Sequence, residues 1–349
     1  MRADERTYES SRVKISVTGF VLAALLATTG SNAADPKIVE GAKKEAKLVA
    51  YVSMLTENAT SLLAEFKKKY PFIETSLYRA NTQKLLPKIQ LEARTQQHEA
   101  DVISATFTIW NELIRGKLIM KYDSPERAKY PDSLKDPEGY WNILHLGVQG
   151  MAYNTKLVAP DIAPKRYEDL LAPRWRPKQI AMDFRDSSWM AVMLEIMGEQ
   201  EGLAFMKKLA AKDLYMRENK NLLTQLLAAG EFSILANTYL DTYVRIQKAG
   251  APIEWAAGRN PIPASTHLLG IYAYTRHPNA AKLFVDFLLS QEGQTLTANV
   301  IGSYPANPNV DSELRKKTAG YRIHPVNPKM MSRFEEINKQ YMEIFWQNP

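Results

Sequence analysis

The sequence has 349 residues and contains no cysteine. Disulfide bonds, thiolate nucleophiles and cysteine-ligated metal sites are therefore excluded. The chain also lacks a glycine-rich phosphate loop, a nucleophile elbow and a paired-carboxylate motif. The histidines are scattered without metal-ligand spacing, and we interpret all of them as ordinary surface or core residues: His98, His145, His267, His277 and His324. We therefore expect that the protein is not an enzyme and that it has no cofactor and no metal site.

The net charge of +7 is spread along the chain, with no block of like charges and no arginine-rich aromatic array. This pattern disfavours nucleic acid as a partner and leaves a general attraction for anions. The apolar and charged fractions, 45% and 24%, are those of a globular protein. A chain of this length accommodates two domains of ordinary size, and we find no internal repeat.

The first 33 residues have the pattern of a secretory leader. A basic start precedes the apolar run Ser16–Ala27, which is too short to span a bilayer. Small residues follow at Ser31–Asn32–Ala33, so we predict cleavage after Ala33. No cysteine follows that would carry a lipid anchor. The mature protein is therefore expected to be a soluble monomer in a periplasm.

An alternating order of strands and helices begins at residue 48. The pattern predicts strands at Leu48–Ser53, Ile73–Tyr78 and Asp101–Ser104, separated by helices at Ala59–Lys69 and Thr82–Thr95. This β-α-β-α-β order predicts a parallel, doubly wound α/β sheet. Its ligand crevice is expected beyond the carboxyl ends of the strands, near Ser53, Arg79 and Thr106.

The pattern changes at Trp141–Tyr153, which we interpret as a crossover strand into a second lobe. Ser265–Tyr274 is interpreted as the return crossover, so the first lobe is discontinuous. The predicted division is 34–145 plus 265–305 for lobe 1, and 146–264 plus 306–349 for lobe 2. The tail, Met330–Trp346, is amphipathic and is expected to pack against a lobe.

Residues 185–188 precede a predicted helix and provide the most specific candidate site. Free backbone N–H groups at a helix N-terminus bind anions, and Ser187, Ser188 and Arg185 add further donors. The alternative is that Asp186, Ser187 or Ser188 caps the helix.

A second candidate follows the predicted strand Phe232–Ala236, where Asn237, Thr238 and Tyr239 form a polar cluster. Tyr239 is either a ligand contact or a core tyrosine. Further candidates have an ordinary core or surface role as the alternative: Trp110 and Trp189 as an aromatic wall, and Arg79 as a charged contact.

Several of these segments resemble periplasmic solute-binding proteins of ABC importers, in the family of the ferric-iron-binding proteins and their relatives for phosphorylated or carboxylated organics. The likeness extends over nearly the whole chain after the leader. It is carried by LVAYVS (48–53), AEFKKKYP (64–71), ADV (100–102), GMAYNT (150–155), YEDLLAPRWRPKQIAM (167–182) and RHPNAAKLFVDFLLSQEGQ (276–294). The resemblance implies a type II two-lobed binding-protein fold with two crossover strands, hinge closure on a small solute, and a membrane permease as partner.

The resemblance also implies which residues meet the ligand. In the iron-binding relatives, a serine pair and an asparagine matching Ser187, Ser188 and Asn237 hold a synergistic anion. Those relatives bind iron with two adjacent tyrosines, whereas this chain has Tyr239–Leu240. Ferric iron prefers anionic oxygen ligands, so an organic anion is the favoured solute. A ferric-iron receptor and a periplasmic enzyme on the same fold remain the alternatives.

Overall fold

A computed structural model describes residues 34–327 and 330–346. The predicted leader, residues 1–33, and its cleavage site lie outside these ranges. In the described ranges the helices are Pro36–Glu45 (α1), Thr56–Lys69 (α2), Thr82–Thr95 (α3), Trp110–Arg115 (α4), Ser187–Met197 (α5), Glu199–Ala210 (α6), Lys220–Ala229 (α7), Leu240–Lys248 (α8), Pro278–Leu289 (α9), Gln291–Asn299 (α10), Glu313–Lys317 (α11) and Met330–Phe345 (α12). The strands are Lys47–Val52 (β1), Glu74–Arg79 (β2), Val102–Thr106 (β3), Ile119–Met120 (β4), Asn142–Asn154 (β5), Ile180–Asp183 (β6), Tyr215–Arg217 (β7), Ile234–Tyr239 (β8), Ile253–Ala256 (β9), Ile262–Tyr272 (β10), Tyr304–Pro305 (β11) and Ile323–Pro325 (β12).

The strands join in the order β2-β1-β3-β10-β5-β8-β6-β7. On one side, β1 pairs in parallel with β2 and β3, as the β-α-β-α-β pattern predicts. On the other side, β6 pairs in parallel with β7 and β8. Strands β5 and β10 pair antiparallel with each other and occupy the middle of the order. The predicted α/β fold with two crossover strands is confirmed.

Strand β5 changes partners along its length. Its first half, up to Val148, pairs with β10 and β11. From Gln149 onward it pairs with β8 and β9. One continuous strand therefore connects two groups of strands, and the change of partner occurs between Val148 and Gln149.

Strand β8 is longer at its end than the sequence pattern predicts. Asn237, Thr238 and Tyr239 were expected beyond a strand ending at Ala236, but they belong to β8. Their backbones continue the ladder with β5, where Thr238 lies opposite Gly150 and Tyr239 opposite Gln149. Pairing with a distant strand thus extends a segment whose polar side chains alone predict a turn.

The amphipathic tail forms α12 and packs on α5, which confirms the expectation that it lies against the body of the protein. The hydroxyl of Tyr341 in α12 donates to the main-chain oxygen of Asp183. The hydroxyl of Ser187 donates to Asn338 Oδ1 at 2.8 Å. Helix α12 therefore covers the turn from Asp183 to Ser187.

Candidate functional site

A cavity of about 360 Å³ opens where the carboxyl ends of β1, β2, β3 and β8 meet the middle of β5 and β10. It is the size of a pocket for a small molecule. The side chains that line it are mainly hydroxyls, amides and imidazoles, including those of Ser53, Asn58, Asn81, Thr82, Thr106, His145, Asn219, Tyr239, Thr242, Ser265 and His267. Such a lining suits a polar solute.

The first wall consists of the strand ends predicted from the sequence. Ser53 follows β1, and its Oγ has no hydrogen-bond partner among the described residues. Thr106 ends β3 and shares hydroxyl hydrogen bonds of 3.1 Å with Thr82 and with Thr108. Arg79 ends β2, and its Nε donates to the main-chain oxygen of Met54 at 3.2 Å. No described carboxylate forms an ion pair with Arg79, so its positive charge is available to a ligand.

Four helices begin at the cavity. Residues at the N-termini of α2, α3, α7 and α8 contribute to the lining. Asn81 caps α3 and Asn219 caps α7 through their side chains. The N-cap residues Leu55 of α2 and Tyr239 of α8 provide no side-chain cap. Uncapped N-termini leave N–H donors with partial positive charge, which is a favourable environment for an anion.

The second wall is dominated by Tyr239, which lies against Gly147 of β5. A Cβ at Gly147 would come within 2.8 Å of Tyr239 Cε1 and 2.5 Å of Ser265 Oγ. Only a residue without a side chain allows this close approach. Burial raises the pKa of Tyr239, although the charge of Lys220 opposes the rise. The phenol is therefore neutral at physiological pH and can donate or accept a hydrogen bond.

Two imidazoles lie side by side in the lining. His145 of β5 and His267 of β10 are cross-strand neighbours, and their rings stack with centroids 4.6 Å apart at an angle of 13°. Burial lowers the pKa of His267 to about 4. Burial, and secondarily the neighbouring His267, lowers the pKa of His145 well below its ordinary value. Both rings are consequently neutral at pH 7, and each has a buried nitrogen without a partner among the described residues.

A buried ion pair between Lys220 and Asp186 lies against the ring of Tyr239. Lys220 Nζ lies 2.6 Å from Asp186 Oδ2, and both side chains are more than nine-tenths buried. The same ammonium lies 4.0 Å from the centroid of the Tyr239 ring. Burial alone would lower the pKa of Lys220, but the carboxylate of Asp186 and other neighbours raise it above its ordinary value. Lys220 is thus a charged residue that links α5 and α7 to the cavity wall.

Three residues donate hydrogen bonds to the carboxylate of Asp186. Asp186 caps α5 by accepting the N–H of Trp189 at 3.3 Å. It also accepts hydrogen bonds from Ser188 Oγ at 2.6 Å and from Asn237 Nδ2. An internal carboxylate therefore accepts hydrogen bonds from two of the side chains that were predicted to meet a ligand, Ser188 and Asn237.

The structure brings four predicted residues together at the cavity and places the others elsewhere. Ser53, Arg79, Thr106 and Tyr239 line it. The remaining predicted residues, Arg185, Ser187, Ser188, Asn237, Trp110 and Trp189, are not in its lining. Ser187, Ser188 and Asn237 turn toward Asn338 and Asp186 because α12 and the ion pair offer them partners.

Three of those residues have ordinary structural surroundings. Arg185 is half exposed, lies 5.4 Å from the Phe184 ring centroid and contacts Glu218 at 3.4 Å. Trp110 and Trp189 are fully buried. Arg185 is therefore a surface arginine, and the alternative stated for Trp110 and Trp189, an ordinary core role, describes their positions.

Sequence reasoning missed the histidine pair, Lys220 and Asp241, a further residue of the cavity lining. His145 and His267 were interpreted as ordinary histidines, and they do lack metal-ligand spacing. The available signal was that both lie in predicted crossover strands, which pass through the centre of this fold. In the described part of the chain, no group of three or more His, Cys, Asp or Glu residues is arranged to hold a metal ion.

This architecture defines a class. Two groups of strands connected by crossover strands around a polar cavity form a periplasmic binding-protein fold of type II. The chain superimposes with a TM-score of 0.72 on the periplasmic binding protein AfuA of Actinobacillus pleuropneumoniae, solved with fructose-6-phosphate, at 20% identity over 86% of this chain and 99% of that one. With apo ferric ion-binding protein A of Pasteurella haemolytica the TM-score is 0.75, at 17% identity over 87% and 99% of the two chains.

Residues 100–321, more than half of the chain, match the model for bacterial extracellular solute-binding proteins, so the chain belongs to that family. An uncharacterised Haemophilus influenzae protein is 28% identical over 82% of each chain. A Salmonella typhimurium protein, provisionally named a 2-aminoethylphosphonate-binding periplasmic protein, is 22% identical over 61% of this chain and 64% of its own. The protein is a solute-binding protein of the ABC-importer type. No helix in the described ranges combines the length and apolar character needed to span a bilayer.

Proposed function

We propose that this protein captures a small anionic organic solute, a carboxylate, phosphate or phosphonate, in the periplasm and delivers it to an ABC permease. The observation that carries the proposal is the convergence on one cavity of four helix N-termini and the guanidinium of Arg79, which forms no ion pair with the described residues. Each contributes positive potential where a negative group would be desolvated. The provisional name of the Salmonella relative and the sugar phosphate in the Actinobacillus structure agree with this class.

Ligand contacts are proposed for Ser53, Arg79 and Thr106 on one wall and Tyr239 on the other. Ser188 and Asn237 are proposed to act indirectly, by holding Asp186 against Lys220 and thereby fixing Tyr239. The lobes are proposed to close about the point where β5 changes partners, with the predicted divisions 34–145 plus 265–305 and 146–264 plus 306–349. Ligand contacts made only in the closed form would couple binding to closure.

The proposal is tested by calorimetric titration after a thermal-shift screen of sugar phosphates, aminophosphonates, dicarboxylates, aromatic acids and polyamines. Arg79→Ala should weaken the best anion by roughly 1.5–3 kcal/mol, the size of a charge-assisted hydrogen bond. Arg185→Ala is the matched comparison. The sequence analysis named Arg185 as a candidate donor to an anion, whereas its position outside the lining leads us to expect that Arg185→Ala leaves the affinity unchanged.

The proposal fails if no anion stabilises the protein, or if Arg79→Ala leaves the affinity for anions intact. Elemental analysis of the purified protein tests the ferric-iron alternative, since bound iron with tyrosinate ligation would also colour the protein. Turnover of any bound solute would support an enzyme.

A further inference from the structure

Asp241 brings a negative charge to the wall of the cavity. It is the second residue of α8, where a negative charge is favourable in the first helical turn, and its Oδ1 accepts the N–H of Thr242 at 2.7 Å. Its other oxygen, Oδ2, accepts no hydrogen bond from any other described residue and forms no ion pair with one. Arg245, one turn further along α8, acts on it only through charge at longer range. One carboxylate oxygen is therefore available to a ligand.

The opposite wall carries the complementary charge. Arg79 comes from the end of β2, whereas Asp241 comes from the helix that follows β8. Arg79 uses Nε for the main-chain oxygen of Met54, and its terminal nitrogens have no partner among the described residues. With both histidines neutral, the described lining contains one guanidinium, that of Arg79, and one carboxylate, that of Asp241.

The opposite charges of Arg79 and Asp241 affect which ligands the cavity favours. A simple anion such as inorganic phosphate would be attracted by Arg79 but repelled by Asp241, because like charges in a desolvated site interact strongly. Burial raises the pKa of Asp241, because the hydrogen bonds and the charge of Arg245 offset the desolvation of the carboxylate only in part. A cavity of about 360 Å³ has room for roughly a dozen water-sized groups, enough for a ligand that reaches both walls.

We infer that the ligand is bipolar: its anionic group lies at the Arg79 wall, and a hydrogen-bond donor at its other end, an ammonium or a hydroxyl, meets Asp241 Oδ2. This inference rests on the proposed function and specifies its substrate class. Asp241 acts as a specificity residue, because it favours solutes with a donor end and disfavours anions without one.

The test compares matched pairs of probes by calorimetric titration of the purified protein. The ammonium pair is 2-aminoethylphosphonate and ethylphosphonate, and the hydroxyl pair is glycerol 3-phosphate and n-propyl phosphate. Asp241→Asn removes the charge but keeps the Oδ1 that accepts the Thr242 N–H, so the first turn of α8 is retained. Asp161→Asn, at an exposed turn residue, is the matched control.

In at least one pair, the wild-type protein should bind the donor-bearing member about tenfold or more tightly than its partner, as expected for a hydrogen bond to a charged group. For the ammonium pair, Asp241→Asn should abolish that preference by weakening 2-aminoethylphosphonate and leaving ethylphosphonate equal or tighter. For the hydroxyl pair, an amide oxygen still accepts a neutral donor. Asp241→Asn should therefore tighten n-propyl phosphate more than glycerol 3-phosphate, and Asp161→Asn should change neither.

Equal affinity within both pairs would overturn the inference, and so would an Asp241→Asn variant that changes both members by the same factor. In those cases anions still bind and Arg79→Ala still weakens them, so the proposed function stands. If no anion binds and Arg79→Ala has no effect, the inference and the proposed function are both wrong. The two failures are therefore distinguishable.

Discussion

Replacing Lys220 with Met should destabilise the protein and weaken ligand binding together. The ammonium of Lys220 lies 2.6 Å from Asp186 Oδ2 with both side chains buried, and 4.0 Å from the centroid of the Tyr239 ring. Met has a similar length and no charge. The variant therefore leaves Asp186 as a buried carboxylate without its cation and removes the support behind the cavity wall.

The expected size follows from the geometry. At 2.6 Å and an effective dielectric constant of about 20, the gross attraction of the pair is about 6 kcal/mol. The pair also pays a desolvation cost, but deleting one partner leaves that cost on the other, typically about 3–5 kcal/mol. Since Ser188 and Asn237 still donate to Asp186, we expect the lower end, about 3 kcal/mol.

Urea denaturation monitored by tryptophan fluorescence measures this loss. The double variant Asp186→Asn/Lys220→Met should recover more than half of it, because the neutral amide still caps α5 and position 186 no longer carries a charge without its cation. Lys248→Met removes an exposed ion pair with Glu313 and should cost less than about 1 kcal/mol. A loss of under about 1 kcal/mol for Lys220→Met, or a double variant less stable than the single one, would refute the reasoning.

Two further predictions concern the centre of the fold. Gly147→Ala should weaken binding of the best anion in the screen, because the new Cβ would lie 2.8 Å from Tyr239 Cε1 and displace that ring. The overpacking should also lower the free energy of unfolding by about 1–3 kcal/mol. Unchanged affinity would contradict the placement of Tyr239. The second concerns pH. His267 has a pKa of about 4 in the folded protein, below its ordinary 6.5, so the unfolded chain binds more protons between those values and stability falls as pH falls through this window. Between pH 7 and pH 5, the free energy of unfolding of the wild type, measured by urea denaturation, should fall by about 2 kcal/mol more than that of His267→Gln. Equal losses in the two proteins would show that His267 is not buried as a neutral imidazole.

Local pattern is sufficient to predict the first wall of the cavity. Strand alternation and helical spacing locate the ends of β1, β2 and β3, and α3 has the predicted bounds, Thr82–Thr95. Because the carboxyl ends of parallel strands meet at one edge of a sheet, Ser53, Arg79 and Thr106 were expected at a crevice, and the structure places them in one cavity. Local periodicity and strand order are encoded over a few residues, so the sequence alone carries them.

The rest of the site was decided by contacts between distant segments. His145 and His267 become neighbours only when β5 pairs with β10, more than a hundred residues away. Ser187 and Ser188, although correctly placed at a helix N-terminus, are directed away from the cavity because α12 and Asp186 supply their partners. Which donors remain free for a ligand depends on which ones the folded chain uses internally, and that is settled by tertiary packing and not by the local sequence.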